Sequence, residues 1–230
     1  MTLFSVTITL VSMDLGGMQA ASARARREDE APGGEVAQGA DRRRLIAEAS
    51  ALLEEAGPEG FSLRVLVKRT GSSTQAVYTL FGGKNGLLDA VYADACLALS
   101  ATVSAAAAAG NGPGPGPVAG VTAMIMAYRE FAIEHPALYS LVFSRPIPAY
   151  RPSQQSLAAA SETKDKLIAA VAVARAAGAL GAAAAAATND ELAERVWTIT
   201  HGMVSLERAW MLASDTPARL EAAVTGLLSY

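Results

Sequence analysis

The chain has 230 residues, 51% hydrophobic, 18% charged and 6% aromatic, with a formal net charge of −3. That length buries a large core without help from disulfides or metal, and one Cys with two His excludes an internal disulfide framework and zinc sites of the four-Cys or two-Cys, two-His kind within one chain. The acidic balance excludes a protein coated in basic residues for nucleic acid, and the single Cys suits a reducing, cytoplasmic compartment.

Residues 1–13 (MTLFSVTITLVSM) are apolar and β-branched. The run is shorter than the ~20 apolar residues that span a bilayer as a helix. It also lacks the preceding Lys or Arg of a secretory signal, since the first basic residue is Arg24. Residues 14–40 turn polar and Gly-rich, so 1–40 reads as a disordered or weakly ordered extension. Translation from Met13 or Met18 is a further expectation here, tested by the intact mass of the native protein. Arg24, Arg26 and Arg27 are followed by Glu28, Asp29 and Glu30, which favours a solvated tail over a phosphate-binding arm.

Beyond residue 40 no stretch alternates with period two, and helical spacing recurs. Leu45, Ala49, Leu52, Leu53 and Ala56 share one helix face, which Gly57 and Pro58 end. Ser62 is the expected N-cap of a short helix with Leu63, Leu66 and Val67 inward, and Gly71 its left-handed end. Ser72 or Ser73 caps a third short helix through Leu80, and a fourth runs from Lys84 to about Ala109. NGPGPGP at 111–117 is a loop, because Pro lacks the backbone donor and Gly the rigidity. Helix returns at 118–134, breaks at His135-Pro136, reaches Phe143, breaks again in SRPIPAYRPS, and resumes over 154–180. The alanines after Gly181 fit a helix or a tight connection. Asn189 or Thr188 caps the next helix, where Leu192, Val196, Ile199, Met203, Leu206 and Trp210 follow heptad spacing, the seam of a helix packed along another. Thr216-Pro217 reads as N-cap and N1 of a last helix with Leu220, Val224 and Leu227 inward. The fold class is therefore all-α.

A longer helix followed by two short ones around a Gly turn is the layout of a helix-turn-helix, whose second short helix enters the major groove. The run GSSTQAVYTLFGGKNGL at 71–87 resembles, without a gap, the TetR family signature Gly-Val-Ser-x-x-x-Leu-Tyr-x-x-Phe-x-x-Lys-x-x-Leu. Gly71, Ser73, Tyr78, Phe81, Lys84 and Leu87 fall in register, while Ser72 replaces the turn valine and Val77 the leucine. RRRLIAEASALLEEAGPEGFSLRVLVKRTG also looks like that family's first two helices, so the likeness covers about residues 41–95.

The resemblance implies a DNA-binding head over 41–88 and a helical ligand-binding and dimerisation domain over 89–230. Expected DNA contacts are Ser73, Thr74, Gln75, Tyr78 and Thr79 on the recognition helix, with Lys84, Arg43 and Arg44 beside them. Gln75 is suited to bidentate pairing with adenine, Thr74 to a thymine methyl or a phosphate, and Tyr78 and Lys84 to phosphates. Val77 and Phe81 are expected in the core.

HPALYSLVFSRP at 135–146 and WTITHGMVSLE at 197–207 are similar to the branch of that family whose C-terminal domain is named for a Trp-His-Gly motif; the tripeptide here reads Thr-His-Gly, with Trp197 three residues ahead of Thr200. This implies a homodimer through the last two helices, with Trp197, His201, Gly202, Val204 and Trp210 at the interface. A small-molecule effector among the middle helices would meet Met124, Tyr128, Phe131, Tyr139, Phe143 and His201. Those soft and aromatic residues equally suit plain core, and His201 suits a satisfied core histidine or a donor across the dimer seam.

The expected function is a sequence-specific transcriptional regulator, a repressor released from a double-stranded operator by a small molecule. No catalytic, metal or cofactor site is expected, and no membrane partner. Two other classes compete: an all-α oligomer that binds small molecules without DNA, and an unrecognised helical enzyme. Against the enzyme stand the missing Gly-x-Ser-x-Gly, Walker, HExxH and Cys-nucleophile patterns. Against the oligomer stands the 71–87 run, which places Tyr78 and Lys84 beside a Gly turn.

Overall fold

The computed structural model describes residues 32–111, 118–212 and 215–230. The expectations for residues 1–31 and for the Gly-Pro run at 112–117 lie outside the described residues. Among those described there are ten helices and no strand. They are α1 (Pro32–Gly60), α2 (Leu63–Thr70), α3 (Thr74–Phe81), α4 (Lys84–Gly110), α5 (Ala119–Glu134), α6 (Pro136–Phe143), α7 (Gln154–Ala176), α8 (Ala182–Ala186), α9 (Asn189–Arg208) and α10 (Thr216–Ser229).

The chain divides between Arg44 and Leu45. On the first side, α1 begins at Pro32, so 32–40 is helical where the sequence reading expected weak order. Pro suits a first helical turn, and Glu35 to Gln38 carry no breaker. Arg44 pairs with Asp41 at 3.0 Å.

On the second side, α1 bends at Gly57, whose φ is 69°, ahead of Pro58. Leu45, Leu52, Leu53, Phe61, Leu66 and Val77 gather into one hydrophobic cluster with Leu87, Leu88 and Val91 of α4. Ala137 and Leu141 of α6 and Tyr150 join the same cluster. A second cluster takes the other end of α4 (Leu99, Val103), with Met124, Ile125, Tyr128 and Phe131 of α5. Val171 of α7, Leu192, Val196 and Val204 of α9, and Leu220, Val224 and Leu228 of α10 complete it. α4 therefore runs through both clusters. By length and composition α4 is apolar enough to cross a membrane, but its buried residues are those that pack these two cores.

The caps explain most of the boundaries. Ser73, rather than Ser72, caps α3, its Oγ accepting the Ala76 N–H at 3.1 Å. Ser62 stands at the start of α2, but its side chain makes no capping bond. Thr188, rather than Asn189, caps α9 in a capping box. Its Oγ1 accepts the Glu191 N–H at 3.2 Å, and its own N–H donates to Glu191 Oε2 at 2.8 Å. α7 ends at Ala176 instead of 180, in a turn carrying Gly178 at φ 67°. The alanines after Gly181 form α8. Thr216 is the first residue of α10 and Asp215 its cap, one residue earlier than expected. Leu228 is fully buried there, while Leu227 is only partly so.

The heptad seam of α9 is not one buried stripe. Leu192 and Val196 are buried, Leu206 is exposed, and Trp210 lies beyond the end of the helix, 95% exposed, with φ 60°. Thr188→Ala should remove the side-chain half of the capping box, the bond from the Glu191 N–H to Oγ1, and cost about 1 kcal/mol. Thermal denaturation should then show a midpoint roughly 2–4 °C lower; an unchanged midpoint would show that this bond contributes nothing.

Candidate DNA-reading head and ligand cavity

The turn between α2 and α3 is built on Gly71, whose φ of 63° is left-handed, and the Ser72 N–H closes it onto the Val67 carbonyl at 3.0 Å. Val77 fastens α3 inward, fully buried. This leaves Ser73, Thr74, Gln75, Tyr78 and Thr79 exposed, and from Thr74 to Thr79 they make one continuous face of α3. The Tyr78 ring lies against Gly83, where an added Cβ would stand 3.0 Å from Cε1. That contact explains a side chain 55% exposed yet held in one direction. Phe81 is partly buried against the core.

Lys84 has a structural partner the sequence reading did not foresee. Its Nζ donates to the Phe61 carbonyl at 3.1 Å and sits 5.3 Å from the centre of the Phe61 ring. It pins the start of α4 to the segment between α1 and α2. Exposed Arg64 and Lys68 stand one turn apart on α2, beside Val65. Arg64 was missed at the sequence level. Arg69 on the same helix is held by Glu48 at 3.3 Å and Glu55 at 2.6 Å. Its guanidinium keeps the Glu55 carboxyl below the usual range.

A carboxylate joins α1 to α6. Glu54 accepts the N–H groups of Ala137 and Leu138, each at 2.9 Å, one with each oxygen. Negative charge at a helix N-terminus is the favourable arrangement. Asp89 of α4 likewise fixes the start of α7. It accepts from the Tyr150 hydroxyl at 3.0 Å and the Ser153 N–H at 2.8 Å. Burial pushes its carboxyl up, but these donors outweigh burial and hold it below the ordinary value.

A cavity of about 290 Å3 opens among α4, α5, α6, α7 and α9. Of the six residues expected to meet a ligand, Met124, Tyr128 and Phe143 line it. Phe131, Tyr139 and His201 are not among its lining. Phe131 packs on His135, with ring centres 5.0 Å apart, while Tyr139 and His201 back Tyr128. Sequence reasoning missed Tyr92, Leu167, Lys164 and Thr200, which come from helices without a concentration of aromatics. Trp197, expected at the dimer face, is also in the cavity wall.

Behind Tyr128, His201 Nδ1 lies 2.9 Å from the hydroxyls of both Tyr128 and Tyr139. The Tyr139 ring stacks on His201 and carries the Arg208 guanidinium 4.6 Å from its centre. Arg208 also donates to the Ala132 and Pro136 carbonyls, at 2.7 and 2.9 Å. Arg129 grips Glu207 through two nitrogens. α9 is thus tied to the junction of α5 and α6. His201 Nδ1 finds both of its partners, Tyr128 and Tyr139, within the chain. Val204 corrects the dimer-face expectation: it is fully buried in the chain's own core and presents nothing to a partner. Gly202 faces open space. Among the described residues no group of three or more metal-ligating side chains occurs.

Comparisons with known proteins agree with this layout. Residues 45–91 match the family model described as "Bacterial regulatory proteins, tetR family", and residues 121–228 match "Tetracyclin repressor-like, C-terminal domain". The chain belongs to the TetR family. The C-terminal match does not single out the Trp-His-Gly branch. The HTH-type transcriptional regulators Rv1816 of Mycobacterium tuberculosis and Mb1846 of Mycobacterium bovis are 29% identical over 94 residues, 41% of this chain. The matched part spans only 39% of those relatives' length. A solved protein of unknown function from Rhodococcus sp. RHA1 is 26% identical, with TM-score 0.69 over 82% of this chain and 95% of its own. The solved TetR family regulator PfmR of Thermus thermophilus, 18% identical with TM-score 0.55 over 80% of this chain and 97% of its own, shares the fold.

Burial holds the His201 imidazole below its ordinary value of 6.5, so the folded state favours the neutral ring. The unfolded chain then binds more protons just below pH 6.5, and stability should fall as pH drops from there toward the depressed value. Thermal midpoints of the protein and of His201→Asn, compared between pH 8 and pH 5, should converge as pH falls. Parallel curves would remove His201 from the acid dependence.

Proposed function

We propose that the chain is a sequence-specific DNA-binding transcriptional regulator, a cytoplasmic homodimeric repressor released from its operator by a small molecule. The observation that carries this reading is the exposed face Thr74–Gln75–Tyr78–Thr79 on a helix fixed behind a left-handed Gly turn. Head residues 41–88 serve DNA, and 89–230 serve ligand and pairing. Gln75 reads a base edge, and Ser73, Thr74, Tyr78 and Thr79 contact bases or phosphates. Arg64 and Lys68 of α2 add phosphate contacts on the flanking backbone. Arg43 and Arg44 supply further cationic contacts, and Lys84 adds charge while holding Phe61. Pairing uses the exposed side of α9 around Trp197 and Gly202, with Trp210 beyond it.

In this reading the ligand acts through α6. Val142 and Phe143 form part of the cavity wall at one end of that helix, and Glu54 of α1 holds the other end. A ligand shifts the equilibrium only by binding one arrangement more tightly than the other. Here the two arrangements differ in where α6 sets α1, and so in whether paired recognition helices meet successive major grooves, ~34–36 Å apart.

A gel shift of the purified protein on its own promoter region should show salt-sensitive, sequence-selective retardation. Its absence would refute DNA recognition and leave the ligand-binding oligomer. Gln75→Ala should lose about 1–3 kcal/mol of base discrimination. An equal loss on every sequence would make Gln75 a backbone contact instead. Glu54→Ala should keep operator binding but weaken release by ligand, at a stability cost of about 1–2 kcal/mol for the two freed N–H groups. Undiminished release would separate α6 from the transmission.

A further inference from the structure

The cavity wall has a distinct electrostatic character. Its lining contains no Asp, Glu, Arg or His, and its one ionic residue is Lys164. That ammonium is already paired with Asp190 of α9, 3.1 Å away. A charged ligand would therefore bring an unpaired ion into an apolar enclosure, which costs several kcal/mol. The volume of about 290 Å3 lies at the small end of small-molecule sites, which run ~300–1,000 Å3.

The polar atoms of the wall are also selective. Ser161 spends its hydroxyl proton on the Ala158 carbonyl at 2.7 Å, and Thr200 spends its own on the Val196 carbonyl at 2.8 Å. Both therefore present only lone pairs. Tyr128 is the opposite case. Its hydroxyl and that of Tyr139 stand equally close, at 2.9 Å, to His201 Nδ1. A neutral imidazole offers at most one lone pair at that nitrogen, so at most one phenol proton is taken there. The alternative acceptor for Tyr128 is the Tyr139 oxygen, at a long 3.3 Å. The proton that His201 does not take passes between the two phenols, Tyr128 donating to Tyr139 at 3.3 Å, and Tyr128 is the member of this pair in the cavity wall, where a ligand oxygen offers its hydroxyl a closer acceptor. The wall thus offers the Tyr128 hydroxyl, the Ser161 and Thr200 lone pairs and the polar groups of Tyr92, Thr163 and Trp197, and no free charge.

We infer that the cavity takes a small, uncharged, largely apolar molecule carrying one hydroxyl group. That hydroxyl accepts from Tyr128 and donates to a wall oxygen, while the hydrocarbon lies against Met124, Ile125, Leu167 and Phe143. The inference rests on the proposed ligand site and names the class of molecule it serves.

Four probes of one shape test it at pH 7.5: 4-propylphenol, propylbenzene, 4-propylbenzoate and 4-propylbenzylammonium. The unaltered full-length protein is used, and binding is read by isothermal titration calorimetry, which depends on neither Trp. The phenol should bind about fivefold to tenfold tighter than propylbenzene, the worth of one hydrogen bond. Both ions should bind at least tenfold more weakly than the phenol. Tyr128→Phe should erase the preference of phenol over hydrocarbon and leave propylbenzene binding in place, which also shows that the variant is folded. Tighter binding of either ion, an unchanged preference in Tyr128→Phe, or no binding by any probe overturns the assignment. A parallel gel shift separates the two proposals. Phenol binding without DNA release keeps the ligand class and removes ligand-controlled repression, whereas release by an ion alone does the reverse.

Discussion

Everything on the second side of the chain hangs on α4. One end of this helix closes the core beneath the recognition helix, through Leu87, Leu88 and Val91, and the other packs α5, through Leu99 and Val103. The constraint is one of continuity. A helix with apolar residues at both ends and no breaker between Leu87 and Val103 ties the two hydrophobic clusters to one axis. Lys84, Asp89 and the cavity residues Tyr92 and Val103 then hold fixed spacings along it. Burial raises the Tyr92 hydroxyl and the Cys96 thiol to about 12 each, so these two side chains stay neutral and pack as core.

Elements with strong local signals were legible from the residues alone. Ser73, Gly71, the His135-Pro136 break and the stop at Gly57 each act on their own neighbours, and the helices follow. The exposed face of α3 was readable for the same reason, because Val77 had to point inward and the rest then point out. The cavity was less legible. Its wall draws single residues from five helices, and no spacing within one helix marks Lys164 or Thr200 as neighbours of Tyr128. Aromatic concentration could not separate Met124, Tyr128 and Phe143, which line the cavity, from Phe131, Tyr139 and His201, which do not, because stacking on one another uses the same residue types as facing a cavity.

The heptad of α9 is similarly incomplete. Its spacing states that one stripe is buried without stating against what. Val196 and Val204 turn out to serve the chain's own core, and Trp210 has left the helix altogether. The missing information is long-range: α10 and α5 cover the inner side of α9, and only what remains is available to a second copy. Charge, too, acts locally. Residues 41–88 hold seven Lys and Arg against five Asp and Glu, and two of those cations, Arg44 and Arg69, are paired with Asp41, Glu48 and Glu55, so the exposed Arg64 and Lys68 count for more.

The Glu54 bridge is made with backbone N–H groups of Ala137 and Leu138, not with their side chains. Any residue except proline at those positions presents the same two donors. The connection between α1 and α6 is therefore indifferent to the side chains α6 carries, including Val142 and Phe143 at the cavity. Such a joint leaves the side chains of the wall free to differ while the Glu54 bridge stays as it is.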